Sequence, residues 1–341
     1  MRRSLVAAVA VLTAAVLIAA CGSSSNSSSS SSSSTTAAKK KANIAYLSFA
    51  VANSYDAPML AAAQTVAKGA GASLTVLDAN NDPKAQFAQL QNATASGKYN
   101  AIVVQPIFGT GLITGVQDAI GKGIKVVNLD QILGPDLTTD QPQVKGLSGN
   151  VVFVPTEIGQ KLGNLVVKAC QANNLNPCNV GYLFDIKASA LDVAIKKAFD
   201  QATSGKIKVV AQGESFFTPA KGLAATQNML QAHPEINAVY GSNESTTRGA
   251  LGALEQAKKL GQIKFVGFDS SAELVDALDK GTIQALVLQD PVQMGYLSVK
   301  AAVAAIRGQT VAKEQPIAPV LVTQENKNKP EVQQLLRPTL D

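Results

Sequence analysis

The chain has 341 residues, 46% of them hydrophobic and only 16% charged. That is enough apolar material for more than one core, and it excludes a disordered chain, a collagen-like repeat and a disulfide-dense mini-scaffold. Five of the 30 Lys and Arg precede Ala42 while all 24 Asp and Glu follow it. The formal charge of +6 therefore shrinks to near neutrality over the remainder, with no basic surplus for nucleic acid.

Arg2 and Arg3 precede an apolar run from Leu5 to Ala20, broken only by Thr13 and ending at Cys21 and Gly22. A positive start, a short apolar stretch and small residues at a processing point mark a secretory signal. The run falls short of the roughly 20 residues that span a bilayer. Its ending, Leu17-Ile18-Ala19-Ala20-Cys21, resembles a bacterial lipobox, in which Cys21 is lipidated and becomes the mature N-terminus. An ordinary secreted protein, or an uncleaved anchor helix with a chance Cys, is the alternative. Residues 1–21 are thus expected to be a lipoprotein signal segment. Residues 22–41, nearly all Ser as far as Thr36, are expected to be a flexible tether of root-mean-square length about 25 Å. The rest of the chain would lie outside the cytoplasm, held to the membrane through the N-terminal lipid alone. Export places Cys170 and Cys178 in an oxidising compartment as an even pair, which predicts a disulfide; two free buried thiols are the alternative.

From Ala42 onward short β-branched runs alternate with longer amphipathic stretches. Strands are predicted over Ile44–Phe49, Leu74–Asp78, Ala101–Gln105, Lys125–Leu129, Val180–Phe184, Ile207–Gln212, Ala238–Ser242, Lys264–Phe268 and Gln284–Leu288. Helices are predicted over Pro58–Lys68, Lys84–Ala95, Thr156–Gln171, Ala190–Ala202, Leu223–Gln231, Thr246–Lys259 and Val292–Arg307. This alternation means βαβ units and parallel sheets covered on both faces. The rhythm pauses in the Pro/Gly-rich stretch Gly134–Val154, where an extra strand, Val144–Gly149, is expected. The fold class is therefore α/β, with two doubly wound parallel-sheet lobes divided near residue 150.

Open α/β sheets bind ligands beyond the carboxyl ends of their strands. Those positions hold Phe49, Asn53 and Tyr55 after the first strand, then Asp130 and Gln131 after the fourth. Phe216 and Phe217, Asn243 and Glu244, Asp269, and Gln289 and Asp290 follow later strands. Carboxylates and amides can each engage adjacent hydroxyls, and aromatic faces cover the C–H faces of a sugar ring. The set predicts a small, neutral, polyhydroxylated ligand. An Asp or Asn at such a position is often only a helix N-cap, and Tyr55 and Phe217 read equally as core aromatics.

The segments IAYLSFAVANSY (44–55), NLDQ (128–131), KGLAATQNML (221–230), HPEINAVYGSNE (233–244), VGFDSS (266–271) and LQDP (288–291) resemble ribose-binding-type periplasmic proteins, the substrate-binding components of bacterial ABC sugar importers. LacI-type repressor cores share part of the pattern. The resemblance implies a type I periplasmic-binding-protein fold with a multi-strand hinge, and a cleft ligand held by Asn53, Tyr55 and Asp130 from the first lobe. Phe217, Asn243, Asp269 and Gln289 would face them from the second lobe and hinge. It further implies that the last helix, within about residues 290–318, returns to the first lobe, and that residues 319–341 cross back to the second. The lobes would then comprise 42–150 plus 290–318, and 151–289 plus 319–341. Three positions depart from the family's pattern. Gln131 and Asp56 stand where an Arg and an aromatic are usual, and a second Arg is missing from residues 188–199.

His233 is the sole histidine, and no metal-ligating cluster or nucleophilic triad can be assembled. Residues 115–123 fail the phosphate-loop spacing, and residues 69–74 fail the dinucleotide fingerprint. The chain reads as a non-enzymatic, cofactor-free, monomeric receptor that presents a monosaccharide-like ligand to ABC permease subunits. The alternative is an extracytoplasmic sensor reporting a signal molecule to a membrane receptor or kinase.

Overall fold

The structure, a computed structural model, describes residues 41–310 and 312–337; Cys21 and the signal and tether segments lie outside them, apart from Lys41. The first sheet contains β1 (Asn43–Ser48), β2 (Ser73–Asp78), β3 (Ala101–Val104), β4 (Lys125–Asp130) and β5 (Gly149–Val152), in the order β2-β1-β3-β4-β5, all parallel. Interleaved with them are α1 (Asp56–Gly69), α2 (Pro83–Ala95) and α3 (Gly109–Gly121). Successive strand residues point to opposite faces. Ile44 and Tyr46 of β1 thus pack with Met59 and Ala63 of α1, while Ala45 and Leu47 pack with Leu90 of α2 and Leu112 and Val116 of α3. Apolar residues at every position of β3 follow from this two-sided burial.

The second sheet contains β6 (Asn179–Phe184), β7 (Lys208–Glu214), β8 (Ala238–Tyr240), β9 (Lys264–Phe268), β10 (Ala285–Leu288) and β11 (Val320–Thr323), ordered β11-β10-β9-β8-β6-β7. Only β11 runs antiparallel. One face is covered by α4 (Pro155–Ala172) and α5 (Ala190–Thr203), whose Leu162, Val166 and Phe199 join Val180, Tyr182 and Tyr240. The other is covered by α6 (Pro219–Ala232), α7 (Glu244–Gln256), α8 (Ala272–Asp279) and α10 (Pro330–Leu336).

The chain crosses between the sheets three times. It passes from β5 to α4 at Phe153 and Val154, and from β10 to α9 (Pro291–Ile306) at Gln289 and Asp290. α9 packs on the first sheet, where Met294, Val299 and Ala302 join the β1–α1 core. The third crossing leads from α9 to β11, and on the way residues 313–317 run along β5: Asn150 N–H donates to Lys313 O at 2.7 Å and Ile317 N–H to Val152 O at 2.9 Å. Cys170, near the end of α4, and Cys178, before β6, form a disulfide.

Three differences from the sequence reading follow from packing. The strand expected at Val144–Gly149 is instead a turn, in which Val144 and Leu147 bury against the α2–α3 side; pairing with β4 begins only at Gly149. β5 therefore runs past the lobe division placed at residue 150. The returning helix stops at Ile306 and is followed by a further helix, α10, because Gly308, with φ of 70°, and the prolines at 316 and 319 break the pattern.

Candidate functional site

The carboxyl ends of both sheets open onto one cleft, about 720 Å³ when its open mouth is counted and about 100 Å³ of cavity proper. Of the positions named from the sequence, Phe49, Asn53, Tyr55, Asp56, Asp130, Gln131, Phe217, Asn243, Glu244, Asp269 and Gln289 line it, whereas Phe216 and Asp290 do not. The chain reaches these positions by turning sharply after each strand. Asp130 and Asp269 end β4 and β9 with φ of 71° and 58°, and Phe216 and Phe217 follow β7 with φ of 52° and 57°. Left-handed backbone is uncommon outside glycine, and its concentration here marks a site that the surrounding structure holds in place. Of the two phenylalanines, Phe217 lines the cleft, whereas Phe216 is 45% exposed beside Lys221.

The first lobe's wall is a connected hydrogen-bond network. Gln105, immediately after β3, accepts from Phe49 N–H at 3.1 Å and donates to both Asp56 and, at 3.2 Å, Asp130. Asn53 donates to the other Asp56 oxygen at 2.9 Å, and the Tyr55 hydroxyl donates to Asp130 at 2.9 Å. Burial raises Asp56 from its ordinary 3.8 to about 7, and the neighbouring Asp130 charge adds to the rise; Gln105 and Asn53 oppose it. Burial likewise lifts Asp130 to about 6.

The second lobe repeats the arrangement around Asp185, the residue after β6. It accepts from Ser242 at 2.6 Å, Asn243 at 2.7 Å and Thr246 at 2.9 Å, and burial followed by the charge of Asp192 raises it to about 7. Asn243 has two duties, because its Oδ1 also caps α7 by accepting Thr246 N–H at 2.8 Å. Asp269 is different. It is buried, yet no side chain among the described residues hydrogen-bonds to its carboxyl. Burial holds it well above the usual carboxylate range; the Gln289 backbone N–H opposes the rise, and Asp130, Glu244 and Asp185 add to it. Gln289 is also buried, and its Nε2 has no partner among the described residues.

The two walls meet at the mouth. Phe49 and Phe217 pack edge to face with centroids 5.8 Å apart, and the Ser54 hydroxyl donates to Glu244 at 2.6 Å. Glu244 lies 3.5 Å from Arg248, which pairs at 2.8 Å with Glu273 outside the cleft. Where the family resemblance implied an Arg on the helix after β6, α5 instead presents Leu191 and Ile195, which together with Phe153 and Ile158 form an apolar patch. Sequence reasoning did not select Gln105 or Asp185 as site residues. Both directly follow a strand, so the same strand-end rule would have found them.

The architecture is that of a two-lobed ligand-binding protein of type I periplasmic-binding fold. The solute-binding protein of a carbohydrate transporter from Agrobacterium radiobacter, crystallised with D-arabinose, superposes with a TM-score of 0.78 at 24% identity, covering 88% of this chain and all of that one. A Bacillus halodurans ABC transporter solute-binding protein with bound myo-inositol gives 0.74 at 24% identity, covering 85% and 97%. The chain belongs to the periplasmic binding protein family, whose domain matches residues 44–310. The ribose import binding protein of Escherichia coli (strain K12) is 28% identical over 287 residues, covering 84% of this chain and 92% of that protein. The D-allose-binding periplasmic protein of the same organism is 26% identical over 265 residues, covering 76% and 83%.

Proposed function

We propose that this chain is the extracytoplasmic substrate-binding component of an ABC importer, taking a sugar or sugar-like polyhydroxy molecule in the inter-lobe cleft and presenting it to the permease. The observation that carries this reading is the convergence of carboxylates, amides and aromatics from both lobes on one cleft. Relatives named for ribose and allose, and a fold neighbour crystallised with D-arabinose, support a monosaccharide-sized ligand. Asp130 and Asp269 accept hydroxyls. Asn53, Asp56, Gln131, Asn243 and Gln289 complete the polar contacts, and Tyr55 and Phe217 cover the ring.

A division into lobes of 42–152 plus 290–318 and 153–289 plus 319–341, moved from residue 150 to the end of β5, the monomeric state and the anchor at Cys21 belong to the same reading. Metabolic labelling with a fatty-acid analogue, lost in Cys21→Ser, tests the anchor. The ligand class is tested by thermal unfolding of the full chain in mild detergent against sugars, polyols and nucleosides. A ligand at 100 times its Kd adds about 2.7 kcal/mol of stability. A panel without any rise in Tm would refute the reading.

A further inference from the structure

Five carboxylates line the cleft, Asp56, Asp130, Asp185, Glu244 and Asp269, while no Lys, Arg or His among the described residues does. Arg248, 42% exposed and outside that lining, lies 3.5 Å from Glu244 and pairs at 2.8 Å with Glu273. Four of the five are held by internal side-chain donors: Asp56 by Asn53 and Gln105, Asp130 by Tyr55 and Gln105, Asp185 by Ser242, Asn243 and Thr246, and Glu244 by Ser54. Asp269 lacks any such side-chain donor among the described residues, is offset only by the Gln289 backbone N–H, and lies within the fields of Asp130, Glu244 and Asp185. Like charges gathered away from water repel one another unless a cation joins them. Independently, the buried Gln289 Nε2 is an unused donor, which calls for a ligand oxygen in the same space.

We propose that the ligand carries a protonated amine beside its hydroxyls, as in an amino sugar or amino polyol, with the ammonium seated on Asp269 and flanked by Asp130 and Glu244. This rests on the cleft being a polyhydroxy-ligand site. An ammonium brings three donors and no acceptor, and so matches a wall of acceptors that a hydroxyl satisfies only in part. Gln289 takes a ring or hydroxyl oxygen. The apolar patch of Phe153, Ile158, Leu191 and Ile195, where a guanidinium would otherwise compete for the carboxylates, covers the ligand's C–H surface.

Calorimetry on the full chain in detergent tests this with D-glucose, D-galactose and D-allose. Each is compared with its 2-, 3- and 6-amino deoxy analogues, their N-acetyl forms and the corresponding uronate. At least one amine should bind about 10-fold or more tightly than its neutral parent and its N-acetyl form, since charge-assisted bonds exceed neutral ones by that order. Uronates should not bind. Asp269→Asn should abolish the preference and Glu244→Gln should reduce it, with thermal unfolding confirming that both variants fold. Neutral parents binding as tightly as every amine would overturn the amine and leave the polyhydroxy reading standing. A preference that survives Asp269→Asn overturns the seat. Failure of the whole panel to bind overturns both readings.

Discussion

Asp130 and Asp269 occupy equivalent strand ends, yet the structure gives them unequal duties. Asp130 accepts from Tyr55 and Gln105, so it organises the wall as well as facing the ligand. Asp269 has no side-chain partner to lose. Asp269→Asn should therefore weaken ligand binding by about 10- to 150-fold with Tm nearly unchanged, because Asn tolerates left-handed backbone. Asp130→Ala should lose binding to a similar degree. It should also lose roughly 1–3 kcal/mol of stability from the orphaned Gln105 and Tyr55 donors, with backbone strain added. Calorimetry beside thermal unfolding separates the two effects. The same carboxyls set a pH dependence. Asp56, Asp130 and Asp185 titrate near 7, 6 and 7 in the folded protein rather than at 3.8. Between about pH 4 and 7 the native state therefore holds protons that the unfolded chain has released, and stability falls as pH rises through that window. The ligand-free protein should melt higher at pH 5 than at pH 8, and Asp56→Asn should shrink the difference. A Tm that rises over this range would contradict the assignment.

Packing between helices fixes how the cleft walls are held. α9 docks on α1 so closely that a Cβ on Gly295 would lie 2.0 Å from the Met59 carbonyl oxygen. On the other lobe a Cβ on Gly159 of α4 would lie 2.1 Å from the Ile195 carbonyl oxygen of α5. Neither backbone atom can yield as a flexible side chain would. Gly295→Ala and Gly159→Ala should each cost about 1–3 kcal/mol, the usual penalty of forced overpacking, read as a lowered midpoint in denaturant. Gly295→Ala should also weaken ligand binding, since α9 supplies Met294 beneath the Tyr55 hydroxyl at 3.3 Å. Unchanged midpoints would mean the helices separate more readily than their packing implies.

Across the whole molecule, the lobes touch at the mouth through Phe49–Phe217 and Ser54–Glu244, with three chain crossings behind the cleft. A ligand touching residues of both lobes binds best when both walls surround it. Ligand should therefore shift the population toward closure. Small-angle scattering of the full chain should give a smaller radius of gyration with a bound ligand than without. Phe217→Ala should weaken binding and raise the ligand-free radius. Identical radii with and without ligand would mean that the cleft is preclosed.

The alternation of short apolar strands with amphipathic helices was legible along the chain, because two-sided burial demands continuous apolar strands and one-sided burial demands striped helices. The polar and aromatic residues at strand ends were legible for the same reason, as each breaks an apolar run. The sequence did not disclose α3, whose glycines blur its periodicity, or β11, a four-residue strand too short to signal itself. Nor did it show that Val144 and Leu147 form a buried turn rather than a strand, since both uses bury the same residues. Only the tertiary structure decided that Gln105 and Asp185 each organise one wall, and that Asp269 is left without a side-chain partner. A side chain's hydrogen-bond partners come from strands far apart in the chain, and the left-handed turns that aim it are imposed by the packing around it.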